Sequence, residues 1–94
     1  MELRKRSMYE LRAHFHGRVQ AVGFRATTVL LARQLSLKGY VKNCPDGTVE
    51  VVAQGQKTSL ETLISKLKET FHIEQVDAHY VKPTKIYSDF SAIS

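Results

Sequence analysis

The period at which apolar residues recur changes along this 94-residue chain, and that change constrains the fold more than any other feature. Residues 9–16 alternate between apolar and polar side chains, which is typical of a strand with one buried face. Residues 24–37 and 60–71 instead repeat apolar side chains every three or four positions, which predicts two amphipathic helices. Further strands are predicted at residues 40–44, 48–54, 76–81 and 90–93.

Turn and cap residues separate these elements. Lysine and glycine at residues 38–39 are expected to end the first helix, with the glycine in a left-handed cap. The Pro-Asp-Gly sequence at residues 45–47 favours a tight hairpin. The Thr-Ser-Leu-Glu sequence at residues 58–61 has capping-box spacing and is expected to begin the second helix.

The resulting order is β-α-β-β-α-β, the split βαβ or ferredoxin-like arrangement. We therefore expect an α+β two-layer sandwich, in which an antiparallel sheet carries both helices on one face and leaves the other face open. A chain of this length suffices for one domain. The domain is expected to span residues 8–94 and to follow a flexible basic N-terminus at residues 1–7.

Composition bears on the partners and on the cellular location. A lone cysteine, Cys44, cannot form an internal disulfide, which favours a reducing compartment and predicts a cytoplasmic protein. Residues 1–7 are not followed by the apolar core of a signal peptide, and the apolar run at residues 29–32 is too short to span a bilayer. Because no apolar stripe is left over for a second subunit, we expect a monomer with no membrane partner.

The net charge of +5 suggests an anionic partner: nucleic acid, a membrane surface or a small phosphorylated molecule. Part of the excess lies in the basic residues 4–6 at the N-terminus. The overall charge therefore does not choose among these partners.

Residues 17–25 connect the first strand to the first helix and have the features of an anion-binding turn. Gly17 and Gly23 allow a tight bend, and the unpaired N–H groups at a helix start attract anions. Arg25, in the first helical turn, opposes the helix dipole, and a bound anion would offset that conflict. Geometry alone equally allows a simple turn with a surface arginine.

Asn43 is the second candidate, because asparagine is unfavourable inside a strand. It lies just before the turn at residues 45–47. Its amide either forms a hydrogen bond with that turn or holds a water molecule, and the pattern leaves both roles open.

Two segments together resemble the signatures of the acylphosphatases. Residues 17–25, which read GRVQAVGFR, resemble the signature loop of that family, and residues 39–50 with Gly55 resemble its second signature. The resemblance extends over roughly residues 9–93. It implies an enzyme that hydrolyses a small acyl phosphate to a carboxylate and inorganic phosphate, without a metal or an organic cofactor.

The resemblance also implies a role for individual residues. Arg25 matches the catalytic arginine, and Asn43 matches the asparagine that positions the attacking water. The backbone N–H groups of the loop are expected to bind the phosphate, and the loop consists of Gly17, Arg18, Val19, Gln20, Ala21, Val22 and Gly23. Two residues depart from the family pattern: Ala21 stands at a usual glycine, where a positive φ would be strained, and Cys44 stands at a frequent threonine.

The chemistry is consistent with these roles. The leaving carboxylate needs no general acid, and phosphoryl transfer mainly requires charge stabilisation and an aligned nucleophile. Arginine can bind two phosphoryl oxygens at once and stays charged at any working pH.

Some of these residues also allow other functions. His14 and His16 share a strand face at a spacing that can chelate a metal, but no third ligand is evident from the sequence, so no metal site is expected. Cys44 lacks an activating base nearby in sequence and is expected to be a passive thiol. An RNA-binding module shares the topology, but the strand at residues 48–54 has no aromatic residue, so no nucleic acid is expected. A non-catalytic module that binds acyl or carbamoyl phosphate is the remaining alternative.

Overall fold

The computed structural model describes residues 8–20 and 23–94 and contains a five-stranded sheet with two helices. The elements follow the predicted order, and the prediction for residues 90–93 as a strand is confirmed. The predicted N-terminal segment, residues 1–7, lies outside the described residues. The elements are β1 (Tyr9–Gly17), α1 (Phe24–Gln34), β2 (Lys38–Asn43), β3 (Val49–Gly55), α2 (Lys57–Thr70), β4 (Ile73–Val81) and β5 (Phe90–Ile93).

The strand order across the sheet is β4-β1-β3-β2-β5. The pairs β4–β1, β1–β3 and β3–β2 are antiparallel, whereas β5 runs parallel to β2. The sheet is therefore mixed, and the expectation of a wholly antiparallel sheet does not hold at β5. The reason is that β5 joins the edge opposite β4, where its neighbour β2 runs in the same direction.

Both helices pack on one face of the sheet, as predicted. The inward side chains of β1 and β3 alternate with outward ones that are mostly polar. The inward side chains form one core cluster with the apolar stripes of the two helices. Fully buried members include Leu11, Ala13, Phe15, Phe24, Ala32, Val49, Val51, Leu60, Leu63 and Leu67.

The opposite face is covered over part of its area, which corrects the prediction of an open face, although Arg12 and His14 of β1 remain exposed there. The chain must pass from β4 at one edge to β5 at the other, and residues 82–89 cross that face. Gln54 of β3 holds this crossover: its Nε2 donates to Lys85 O (2.6 Å), and its Oε1 accepts from Tyr87 N (3.2 Å). Val52, which also points to this face, is consequently only 3% exposed.

Both predicted helix caps were wrong in detail. Helix α1 ends at Gln34, with Ser36 in the left-handed region at φ 59°. Ser36 N donates to Arg33 O and Leu37 N to Ala32 O, the pattern of a Schellman motif. Gly39 instead lies inside β2, and helix α2 begins at Lys57 without a side-chain cap.

Neither helix in residues 8–20 and 23–94 is long and apolar enough to cross a membrane.

Candidate functional site

Gly17 ends β1 and fixes the start of the candidate loop. Its φ of 126° is rarely adopted by residues with a side chain, and β1 shifts its register against β4 at this point. A β-carbon here would lie 2.7 Å from His72 O and 2.9 Å from Glu74 N, both main-chain atoms. Only glycine therefore lets the chain leave β1 so close to β4.

The first two amides of the loop already have protein acceptors. Arg18 N donates to His72 O (3.2 Å), and Val19 N donates to Gly17 O (3.0 Å). The Val19 side chain is fully buried and anchors this end of the loop in the core. Ala21 and Val22 lie outside the described residues, and so does the expected strain at Ala21.

Gln20 joins the loop to the β2–β3 hairpin. Its Nε2 donates to Cys44 O and to Thr48 O, each at 2.8 Å. These two carbonyls lie on opposite sides of the turn that follows Asn43, so one side chain fixes the distance between the two candidate segments. Sequence reasoning assigned Gln20 only a main-chain role, since its side-chain partners lie 24 and 28 residues further along the chain.

Gly23 is the N-cap of helix α1; it adopts φ 78° and makes no side-chain capping bond. The first turn holds no acidic residue, and Thr27 N makes the bond to Gly23 O that opens the helix. The amides of residues 24–26 precede that bond and have no acceptor within the helix. This end of α1 therefore combines amide donors that have no acceptor within the helix with the positive end of the helix dipole.

Arg25 lies in this first turn and contacts the end of the chain. Its Nη1 donates to Ile93 O of β5 at 3.2 Å. One contact leaves the guanidinium further N–H donors. The sequence did not indicate this partner, which lies 68 residues away and becomes a neighbour only because β5 pairs beside β2.

Asn43 is the last residue of β2 and pairs with Val49. Its Oδ1 is buried, and no group among the described residues donates a hydrogen bond to it. A buried acceptor without a partner is rare in proteins and carries a free-energy cost, so it calls for an explanation. Such an atom can accept a hydrogen bond from a water molecule or a ligand.

The turn after Asn43 is held by Asp46. Asp46 Oδ1 accepts from Thr48 Oγ1 (2.6 Å) and from Thr48 N (3.0 Å), which is the Asx geometry expected of a turn former. These hydrogen bonds from Thr48 lower the pKa of the Asp46 carboxyl below its ordinary value. The side-chain bonds that close this turn thus come from Asp46.

The two histidines of β1 have different neighbours. His16 Nε2 lies 2.8 Å from Asp77 Oδ2, and hydrogen bonds from Gln75 and then His16 lower the pKa of the Asp77 carboxyl. His14 instead lies beside Cys44 and Glu50, with one potential ligand atom of each residue within 4.8 Å of the others. Sequence spacing along one strand missed this cluster because its members come from three different segments.

The turn from β1 to α1 is thus suited to anions. Gln20 bonds this turn to the end of β2, where Asn43 Oδ1 has no partner among the described residues. On a two-layer α+β sandwich of this topology, the arrangement suits a protein that handles a small anion.

Comparison with known proteins gives the family. A family model described as acylphosphatase matches residues 11–92. The acylphosphatase of Picrophilus torridus is 45% identical over 76 residues, which cover 81% of this chain and 91% of that protein. The crystal structure of acylphosphatase from Bacillus subtilis has a TM-score of 0.86 at 29% identity, and the match covers 92% of this chain and 99% of that one. The chain therefore belongs to the acylphosphatase family.

A longer protein contains a similar unit. The structure of T. kodakarensis HypF matches with a TM-score of 0.79 at 31% identity, and the match covers 89% of this chain but 12% of that one. The same sandwich thus occurs both in short acylphosphatases and as a small part of a larger chain.

Proposed function

We propose that this protein is an acylphosphatase that hydrolyses the carboxyl-phosphate anhydride of a small acyl phosphate, releasing a carboxylate and inorganic phosphate. The turn at residues 17–23 and Arg25 bind the phosphoryl group, and Asn43 positions the attacking water. The observation that carries this proposal is the double hydrogen bond of Gln20 to Cys44 O and Thr48 O, because it bonds the phosphate turn directly to the hairpin behind Asn43.

The phosphoryl oxygens are bound by main-chain amides at the start of α1. Since Arg18 N and Val19 N have protein acceptors, the binding falls mainly to the amides from Gln20 onward, including those of the first helical turn. The positive end of the helix dipole favours the phosphate there. Ala21 and Val22 belong to this set by sequence and remain part of the proposal.

Arg25 stabilises the charge on the phosphoryl oxygens in the transition state. Its bond to Ile93 O limits the orientations of the guanidinium before substrate binds, so less ordering is needed on binding. A permanently charged planar donor can contact two phosphoryl oxygens at once. In phosphoryl transfer such stabilisation accounts for much of the acceleration.

Asn43 orients the water through Oδ1, which lacks a donor among the described residues. The anhydride is reactive and its leaving carboxylate needs no proton, so the water requires alignment more than activation. The phosphate of the substrate accepts the proton of the water. No metal ion or organic cofactor takes part in this scheme.

An RNA-binding function has less support. RNA-recognition domains of this topology stack bases on aromatic side chains of the central strands. Here the outward residues of β3 are Glu50, Val52 and Gln54, and residues 82–89 cross over that strand. As part of the same proposal, the protein is a monomeric cytoplasmic enzyme whose single domain spans residues 8–94.

The test is hydrolysis of benzoyl phosphate, a small aryl acyl phosphate, in the presence of EDTA. Wild-type protein should turn it over at a rate that EDTA does not change. Arg25→Gln should lower kcat by about 10³-fold, or about 4 kcal/mol of barrier, because it removes the charged donor.

Arg33→Gln is the matched control. Arg33 also lies on α1 and also donates to a main-chain carbonyl of β5, Phe90 O at 3.1 Å. It should keep wild-type kcat. Absence of wild-type turnover would contradict the activity, whereas full turnover in Arg25→Gln would contradict the site and leave the activity standing.

A further inference from the structure

His14, Cys44 and Glu50 form a cluster of potential metal ligands beside the candidate active site. One nitrogen of His14, the sulfur of Cys44 and one carboxylate oxygen of Glu50 all lie within 4.8 Å of one another. No step of the proposed hydrolysis uses these three side chains.

The sheet itself holds two of the three residues in place. His14 and Glu50 are directly opposite each other in the antiparallel β1–β3 ladder. Their neighbours in sequence, including Ala13 and Val49, are buried on the helix side, so both side chains point to the opposite face. Directly opposed residues have β-carbons only about 5 Å apart, so this proximity follows from register.

The third residue is supplied by the hairpin. Cys44 follows the end of β2, and its N–H donates to Thr48 O at 2.9 Å. The Cys44 carbonyl accepts from Gln20. These hydrogen bonds to main-chain atoms of Cys44 fix the segment that carries the thiol, and Cys44 is partly exposed to solvent.

We propose that these three side chains bind a single divalent transition-metal ion, with Zn²⁺ as the best match. Imidazole nitrogen, thiolate sulfur and carboxylate oxygen are the donors that Zn²⁺ takes, and three protein ligands leave a fourth position for water. Around a tetrahedral ion the donor atoms lie roughly 3.5 Å apart. Side-chain rotations that move each donor atom by about 1 Å therefore complete the ligand set.

The contrast with His16 supports the assignment. His16 is paired with Asp77 at 2.8 Å. Within residues 8–20 and 23–94, His14 has no carboxylate partner at ion-pair distance. The thiol of Cys44 and the carboxylate of Glu50 lie within 4.8 Å of its ring nitrogen, and a metal ion would engage all three together.

Binding is tested by titrating the full chain with Co²⁺, with the thiol kept reduced. Co²⁺ takes the place of Zn²⁺, and its thiolate complex absorbs in the near ultraviolet. We expect this band to saturate at one ion per chain and to be displaced by Zn²⁺. Absence of the band, or saturation at one ion per two chains, would overturn a site within one chain.

Three variants test the ligand set. Cys44→Ser should abolish the cobalt–thiolate band, and His14→Ala and Glu50→Gln should each raise the Kd for Zn²⁺ about tenfold or more. His79→Ala, an exposed histidine of β4, should leave the Kd unchanged. Unchanged affinity in both His14→Ala and Glu50→Gln would reduce the site to an isolated thiol and overturn the proposal.

One variant, Arg25→Gln, tests whether metal binding is independent of hydrolysis. Arg25→Gln should lose hydrolysis and keep the full cobalt–thiolate band. Loss of the band in Arg25→Gln would mean that the metal site requires the phosphate site, which would contradict three ligands supplied by the sheet and hairpin alone.

Discussion

Two amide side chains on neighbouring strands, Gln54 of β3 and Asn43 of β2, differ in how their polar atoms are satisfied. Gln54 is 1% exposed, donates to Glu10 Oε1 (2.9 Å) and Lys85 O, and accepts from Tyr87 N. Asn43 Oδ1 is also buried, but among the described residues it has no partner. Both amides occupy a strand that would more readily hold an apolar residue.

The difference separates a structural group, Gln54, from Asn43, for which we propose a functional role. Gln54 ties the crossover at residues 82–89 to the sheet and also shields Glu10, a carboxylate only 2% exposed whose other oxygen accepts from Arg12 Nε at 2.7 Å. A saturated network of this kind contributes to stability. An unpaired acceptor at a site edge contributes none, so its presence fits a role in binding.

Among the substitutions that test this difference between Gln54 and Asn43, Gln54→Leu is expected to have the largest effect. The substitution leaves the Glu10 carboxylate and two main-chain groups of the crossover short of partners. We expect the free energy of unfolding to fall by about 3 kcal/mol, measured by urea denaturation, while turnover per folded molecule stays near wild type.

Gln34→Leu is the control for that measurement, because Gln34 is an exposed glutamine at the end of α1. Its substitution should change the unfolding free energy by less than about 0.5 kcal/mol. A similarly small change in Gln54→Leu would contradict the structural role of the network.

Asn43→Ala should show the opposite pattern. Removal of the unpaired amide should lower kcat for benzoyl phosphate about 100-fold, equivalent to about 2.7 kcal/mol, because the water loses its acceptor. The unfolding free energy should change by less than about 1 kcal/mol, since no hydrogen bond from a described residue to Oδ1 is lost. Normal kcat combined with a large loss of stability would place Asn43 in the same class as Gln54.

Gln20→Ala tests the bridge between the two candidate segments. Without the bonds to Cys44 O and Thr48 O, the phosphate turn and Asn43 should be less well aligned, and kcat/KM should fall about tenfold, or about 1.4 kcal/mol. Gln75→Ala removes an exposed amide whose one side-chain hydrogen bond to a described residue is to Asp77, and it should leave kcat/KM unchanged. Equal values for the two variants would remove Gln20 from the site.

The smallest effect is expected at Asp46, whose carboxyl is exposed. Because hydrogen bonds from Thr48 lower its folded pKa below the ordinary 3.8, its contribution to stability is present above that pH and disappears as pH falls through the folded pKa. The difference in unfolding free energy between wild type and Asp46→Asn should therefore shrink below about pH 3.8. A difference that does not vary with pH would exclude this linkage.

The sequence alone determined the secondary structure and its order. Alternation at residues 9–16 and the helical stripe at residues 60–71 reflect which side of an element faces the core, and this is written within a few residues of chain. The Pro-Asp-Gly turn likewise encodes its own geometry. These elements were predicted correctly, and their ends were off by a few residues because caps depend on what packs beside them.

For the candidate site, the sequence could only single out candidate residues and not their contacts. Arg25 and Asn43 were singled out because arginine at a helix start and asparagine in a strand are each locally unfavourable. Those conflicts indicate that something else must compensate, but they do not say what. The Ala21 departure stays a prediction, and the assigned catalytic roles await the kinetic tests above.

Only the tertiary structure decided which distant residues are in contact. Strand order brings Ile93 to Arg25, and the hairpin brings two carbonyls to Gln20. Register brings His14 to Glu50, and the crossover closes the second face over Gln54. Hydrophobic periodicity fixes the face on which a side chain lies, but not its neighbours, because contacts between distant segments depend on the order and direction of the strands.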